Sequence, residues 1–518
     1  MKFALPKQAA ILSAALLSLG TFSCNNNLLN PTPQIQFSDQ VVFSTPDRIA
    51  LQVNSLYSFV KTGNFLGGRM QIYGDIRAND FINLTSNGVT GVGVWNHTLT
   101  EQSQNDVINA WGYGYGAINQ INVFLTGLDA NATKFVAPTF PSTFAATALN
   151  YQAEARLLRA LCYYSLLQLY ARPYIEGAGT KPGLPLRLKG EIGPDNNNLA
   201  RGTVADVYAL ILADLNFAEQ NLPLTYGSTA STLNVTRAHR NTAIALKTRV
   251  YLSMGQYANV ITEANKLVPA AAPYAAPSGV PNALNPSVTA VFAAPQETTE
   301  SILSFPFTAQ DAPGTQNQLA YYFLPSALGG NGEYSLNTAA GSIVANTGWL
   351  AGDDRRTNFV VKAGTQSFLK KYPTGTPYTD KAPVIRYAEV LLNLAEARVR
   401  STNSVDAQGL ALLNAVRSRS NPAIPAVPAT ATTPAIPAVP SPMYIASNFA
   451  TVGALTDAIL LERRIEFLGE GLRNNDLLRL DMTIPGKASI GAVEPANTLY
   501  VWPIPSTELA TNQLMTRN

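Results

Sequence analysis

Charge is what this chain of 518 residues has least of: Asp, Glu, Lys and Arg together make up 13%, about half the usual share of roughly 25%. Its surface must therefore be polar through Asn, Thr, Ser and Gln. The formal net charge is +3, and no basic block stands out, so a nucleic-acid partner is not expected. Histidine is nearly absent. The two that exist, His97 and His239, have no neighbours at metal-ligand spacing, so no metal site and no cofactor are expected. A nucleophile elbow of the G-x-S-x-G type and a phosphate-cradling loop are both missing. A glycosidase needs only two carboxylates, so counting alone does not exclude an enzyme, but nothing in the sequence points to one. Tryptophan is scarce, with 4 residues, whereas Tyr numbers 22. Many of the aromatics fall in Gly- and Asn-rich stretches, off helical spacing, which leaves room for a stacking surface. Hydrophobic residues make up 46%, enough for a sizeable core.

There are two cysteines. Cys162 lies inside a helical pattern and reads as a buried free thiol. Cys24 follows Lys2 and Lys7, then the short apolar run Ala9 to Gly20, then Thr21-Phe22-Ser23. That run is too short to span a bilayer as a helix and suits a signal peptide. Residues 1–23 thus read as a lipoprotein signal. Cys24 resembles the acylated residue of a lipobox, with Thr21 an imperfect first position. The polar stretch Asn25 to Pro31 reads as a tether, and the mature chain as a folded body hung on lipid.

Helical patterns dominate the rest. Ile49, Val53, Leu56 and Val60 fall at spacings of one helix face, and Pro46-Asp47 supplies an N-terminal signal. Gly63 to Thr100 reads as loop. Helix returns around Trp111 to Leu125, and again from Tyr151 to Tyr170, ending before Arg172-Pro173. Thr203 caps a helix running to Asn221, and Pro223 stops it. Arg240 to Leu252, a turn at Gly255-Gln256, and Tyr257 to Leu267 read as a helical hairpin like one tetratricopeptide unit. From about 269 to 378 the chain is rich in Ala, Pro, Gly, Asn and Tyr, with strand-like Ser301 to Phe307. Irregular stretches of this length tend to carry function. Helices resume at Ile385 to Arg400, Asp406 to Ser418 and Leu455 to Leu480. The Pro-rich stretch 421–442, with AIPAVP twice, reads as an exposed extended loop. The two helical parts are expected to form one scaffold in a single domain, 24–518.

The densest charged motif runs from Glu462 to Arg479. On one continuous helix Arg463 reaches Glu466, Glu470 reaches Arg473 and Asp476 reaches Arg479, each at i,i+3. The expectation is a structural ion-pair lattice, since each carboxylate has its own arginine.

This E-R-R-x-E-F-x-x-E-G-x-R-x-x-D-L-x-R run resembles the C-terminal signature of SusD/RagB proteins of Bacteroidetes. Other segments agree in order: Asn79-Asp80; Tyr151 to Ala160 followed by Tyr170-Ala171-Arg172-Pro173; Tyr208, Ile211, Asp214-Leu215 and Leu222-Pro223; Arg386 to Ala397; Leu413 to Arg419; and Pro503-Ile504-Pro505 with Glu508 and Asn512. The resemblance implies an all-α dominated fold, with four tetratricopeptide-like helix pairs supporting an irregular, loop-rich ligand face. It implies a binding protein, not an enzyme, anchored by lipid in the outer membrane and facing outward. It also implies a partner, a SusC-like TonB-dependent transporter, to which captured oligosaccharide is delivered. RagB-like members handle peptides instead.

Sugar rings have apolar faces, so aromatic platforms flanked by amides bind them with little charge. Tyr73, Asn79, Trp95 and Asn96 from the early irregular stretch are the first candidates. Tyr321, Tyr322 and Trp349 from the middle zone are the second. Asp353-Asp354 has the chemistry to hold calcium, but a solvated loop is the expectation there.

Overall fold

Helix starts follow local capping chemistry. In the computed structural model, which describes residues 39–193, 195–426, 428, 435 and 437–518, Thr45 opens helix α1 (Pro46–Val60) by accepting the Arg48 N–H on its hydroxyl. Ile49, Val53, Leu56 and Val60 are all buried, as their spacing predicts. The stretch from Gly63 to Thr100 departs from the loop expectation. It holds helix α2 (Arg69–Ile76), buried at every position but Met70, and strand β1 (Phe81–Asn83). A helix buried on all sides has no polar stripe, and periodicity cannot reveal it. Helix α3 (Asn109–Asn131) and helix α4 (Phe144–Tyr170) follow. The second half of α4 is buried nearly all round, with the Cys162 thiol inside it, its pKa pushed up by burial. The helix stops at Ala171, which is extended before Arg172-Pro173.

Strands β2 (Pro182–Pro185) and β3 (Arg201–Thr203) pair antiparallel and lead into helix α5 (Val204–Asn221). Thr203 and Asp206 form a reciprocal capping box there, and Leu222 is extended before Pro223. Helix α6 (Arg240–Ser253) and helix α7 (Tyr257–Ala264) form the expected hairpin. Gly255 turns it with φ +67°, a conformation that favours glycine.

The middle zone contributes strands β4 (Ser301–Phe305), β5 (Tyr334–Leu336), β6 (Val360–Ala363), β7 (Gln366–Leu369) and β8 (Ala382–Arg386). Among the described residues they form antiparallel pairs β1–β5, β4–β8 and β6–β7. Ile385 and Arg386 belong to β8, so helix α8 (Tyr387–Thr402) starts two residues later than its pattern predicts. Asp406 caps helix α9 (Ala407–Ser420). The Pro-rich stretch is closed at its base by mutual backbone hydrogen bonds between Ile424 and Val439; much of its interior, like the leader 1–23 and Cys24, lies outside the described residues.

The expected helix from Leu455 to Leu480 is two: α10 (Val452–Glu466) and α11 (Arg473–Leu478). Gly469 and Gly471, at φ +84° and +82°, break it. Gly471 sits against α2, where an added Cβ would lie 2.5 Å from Gln71 Cα.

Helices pack mainly on their chain neighbours: α3 on α4, α4 on α5, α5 on α6, α6 on α7, α7 on α8, and α8 on both α9 and α10. Early and late helices thus join into one scaffold, and one apolar core of buried residues runs from Ile49 to Met515. The helix-dominated fold expected from the sequence is what the structure has.

Candidate ligand face and the charge lattice behind it

The irregular zone is held to the helices by buried ions. Arg386, at the end of β8, donates to Glu470 Oε2 at 2.8 Å, Glu466 Oε1 at 3.0 Å and Glu300. Arg355 reaches Asp353 at 2.6 Å, Glu462 at 2.6 Å and Glu466 at 2.8 Å. Arg419 on α9 bonds Glu466 at 2.6 Å and Glu300 at 2.9 Å, and Lys371 bonds Glu470 at 2.6 Å. Burial alone would push the Glu466 carboxyl up; the Arg419, Arg386 and Arg355 guanidiniums instead hold it well below the usual carboxylate range. A second knot joins Arg463 to Asp476 at 3.0 Å, and Arg479 to both Asp476 and Glu396.

A lattice is there as expected, but its wiring differs. Of the three i,i+3 pairs only Asp476–Arg479 forms. Within α10, Arg463 and Glu466 each find partners on other elements, Asp476 on α11 for the first and Arg386, Arg355 and Arg419 for the second, while the turn at Gly469 and Gly471 takes Glu470 to Arg386 and Lys371. These carboxylates are buried and held by arginines and Lys371.

One further tie reaches the early irregular stretch. Arg464 on α10 donates to Asp80 at 2.8 Å and Asn79 at 3.1 Å, and Asp80 accepts the Ile343 N–H at 2.8 Å. The Asn79-Asp80 motif and the C-terminal charged signature are therefore one contact, closed across most of the chain.

On this frame stands a short helical turn, Leu319–Phe323, of which Leu319, Ala320, Tyr322 and Phe323 are buried and Tyr321 is half-buried. The Tyr321 ring meets the Tyr378 ring edge-on at 6.0 Å between centroids. Gln316 Nε2 lies 3.4 Å from the Tyr321 hydroxyl, and the Asn331 N–H donates to the Tyr321 carbonyl at 3.0 Å. Behind them Glu333 is buried, accepting from Asn331 Nδ2 and, at 2.8 Å, from Thr90 Oγ1. Burial, with the Glu333 charge beside it, raises the Tyr321 phenol pKa. Gln316 and Tyr378 both hold left-handed backbone, at φ +59° and +61°. Strain of that kind, about 1–3 kcal/mol per residue, clusters at ligand-handling sites. The result is a pair of tyrosines with amides at its edge, set among loops on a braced scaffold.

The other sequence candidates fall elsewhere. Tyr73, Tyr322 and Trp349 are core residues, at 1%, 0% and 2% exposure, which corrects their expected role as platforms. Tyr73 donates to Asp106 at 2.9 Å and packs edge-on against Trp502; Tyr322 donates to the Gln316 carbonyl; Trp349 lies under the Arg356 guanidinium. Ring area buried in packing is not offered to a ligand. Asn79 is likewise buried, its amide spent on Gly341 O and Arg464. Trp95 is half-buried at the Phe81 end of β1, donating to Phe81 O at 2.9 Å under the Lys487 ammonium, and the neighbouring Asn96 amide lies 2.6 Å from Thr98 Oγ1. Tyr321 stands with the loops at the opposite, Asn83 end, where Leu84 N–H bonds Glu333 O. Trp95 and Tyr321 thus stand apart, while the buried Tyr73 and Tyr322 lie close together beside Arg69. Gln316, Asn331, Glu333 and Tyr378 were missed, and nothing local in the sequence marks them. Asp353 is neither a solvated loop residue nor free for calcium: it caps the turn Asp354–Phe359 and bonds Arg355 and Asn421. His97 and His239 are buried, as a packing role requires.

A helical array carrying a loop-built, uncharged aromatic face defines a binding-scaffold class of protein. The sequence model of the SusD family matches residues 329–518, and that of a family described as starch-binding associating with outer membrane matches residues 32–252. The chain is 31% identical to a solved SusD superfamily protein from Bacteroides fragilis, covering 92% of this chain and 100% of that one with a TM-score of 0.76. It is also 23% identical to SusD-like protein P38 of Formosa agariphila over 99% of both chains. A solved laminarin binding SusD-like protein shares the fold, with 20% identity, 92% and 99% coverage and a TM-score of 0.64. The chain belongs to the SusD family, as its ordered motifs indicated.

Proposed function

We propose that this protein is a cell-surface glycan-binding subunit that captures oligosaccharide on the Tyr321–Tyr378 face and passes it to a SusC-like TonB-dependent transporter. The observation that carries the reading is the partly accessible Tyr321 ring, set against Tyr378 and flanked by Gln316 and Asn331 in a family member. Sugar rings stack their C–H faces on such rings, and amides take the hydroxyls. The laminarin-binding relative of the same fold supports a glycan as ligand. The reading includes no turnover: the chain binds and releases, as a single domain anchored through Cys24 in the outer membrane with its ligand face outward.

A groove of about 590 Å³ between α1 and α3, lined by Phe43, Phe59, Phe124 and Ile192, is the competing place for a ligand. Titration calorimetry of the purified chain against plant, fungal and host glycans, with a peptide digest alongside, tests both. Saturable glycan binding weakened at least about tenfold by Tyr321→Ala, and unchanged by Phe59→Ala, is expected. The reverse pattern moves the site to the groove. Binding confined to the peptide digest makes the protein a RagB-like peptide binder, and release of new reducing ends from the glycan makes it an enzyme.

A further inference from the structure

We infer that the Tyr321 face is built for uncharged, hydroxyl-rich glycans and selects against uronic or sulfated ones; the inference rests on the site proposed above. A site for an anionic polysaccharide presents cations, Arg above all, in reach of carboxylate or sulfate. Here the cations along the 306–317 segment are already spent. Arg69 donates through Nε to Asn317 Oδ1 and through Nη1 to Asn105 O, both at 2.6 Å, and is buried. Lys61 donates to Pro306 O at 2.8 Å and pairs with Asp311.

What stands behind the ring instead is a carboxylate. Glu333 is 3% exposed, and its oxygens are held by uncharged donors, Asn331 and Thr90. No guanidinium or ammonium is among those partners to cancel its charge. A negative charge in a partly desolvated place acts over several ångströms with little screening. Burial, with the Glu333 charge adding to it, disfavours ionisation of the Tyr321 phenol. The side chains around the ring, Tyr378, Gln316 and Asn331, offer hydroxyl and amide groups, which suit alcohols and leave an anion unpaired. Neutral sugars meet a stacking ring and matched donors and acceptors; an anionic sugar meets like charge, which is the repulsive half of specificity.

The test uses the full chain and a matched pair of ligands: a neutral β-glucan and its carboxymethylated derivative of equal length. A neutral galactomannan and alginate extend each arm. At low ionic strength the neutral polymers are expected to bind at least about tenfold more tightly than the anionic ones. The ratio should shrink as salt is raised to 0.5 M. It should also shrink in Glu333→Gln, while Tyr321→Ala weakens neutral binding. Equal or tighter binding of the anionic polymers, still dependent on Tyr321, overturns the charge selection and leaves the site standing. Neutral binding that survives both Tyr321→Ala and Tyr378→Ala, in variants with unchanged circular dichroism, overturns the site itself. If no polymer of either arm binds, both fall.

Discussion

Lys487 shows how far burial governs single residues in a chain with so few charges. Its ammonium donates to Arg77 O at 2.6 Å and lies 3.3 Å from His97 Nε2. Burial, then the nearby Arg77 charge, draws its pKa from 10.5 down to about 7. An unfolded chain keeps that proton up to about pH 10.5, so between pH 7 and 10 the unfolded state binds more protons and stability rises with pH. Lys487→Met should flatten that rise, on the order of a few kcal/mol, in guanidinium unfolding measured at pH 7 and pH 9.5; an unchanged slope would refute it. Arg386 is the opposite case, a buried cation with three carboxylates around it. Arg386→Met leaves Glu300, Glu466 and Glu470 short of a partner and should cost about 3–5 kcal/mol in the same assay. The exposed pair of Arg517 with Glu101 gives the contrast: Arg517→Ala should leave the unfolding midpoint unchanged.

Helices in this fold are decided at their ends, and the glycines at α10 and α11 make that measurable. Gly471 combines φ +82° with a backbone neighbour at 2.5 Å from any added Cβ. Gly471→Ala should therefore lower stability by at least about 2 kcal/mol, through strain and displaced α2. Gly112, exposed in α3 with open space around it, lies in ordinary helix. Gly112→Ala should raise stability by about 0.5–1 kcal/mol. Thermal melts of the two variants check both signs at once. Thr45 and Asp406 cap their helices in the same way as Thr203 without having been singled out in the sequence; the cap at Thr203 was legible because a cap is a hydrogen bond to a backbone group three residues away. The break between α10 and α11 was not, because an apolar stripe continues through Leu468 and Leu472 regardless of the backbone between them.

At the scale of the whole molecule, the proposed function divides the aromatic residues between holding the fold and facing a ligand, and the two uses separate experimentally. Trp349 is buried under Arg356, and Trp349→Ala should cost about 3–5 kcal/mol. Tyr321→Ala should leave the melting temperature within a degree or two while weakening glycan binding. A melt and a titration on each variant decide the matter; loss of binding without loss of stability in Trp349→Ala would return that residue to the ligand face. The scaffold is also one long-range structure. The Arg464–Asp80 contact joins an early loop to a late helix, and Arg386 joins the middle zone to α10, so damage at either end should register as one cooperative loss.

The sequence by itself determined many of the helix ends and the family, though not the buried α2 or the division of α10 from α11, because caps, proline stops and apolar spacing act over a few residues and because ordered motifs survive in the chain whatever their contacts. It also marked that the Glu462–Arg479 charges would be structural. Which arginine meets which carboxylate was decided only by tertiary structure, since the charges of α10 pair with β8, α9, α11 and the loops packed against it, not with one another. The ligand face was decided there too. Tyr321, Tyr322 and Trp349 look alike in sequence, yet one is half-buried and two are core, and Tyr321 acquires Tyr378 as a neighbour only when distant loops meet. Stacking and burial depend on those long-range contacts, which no local spacing encodes.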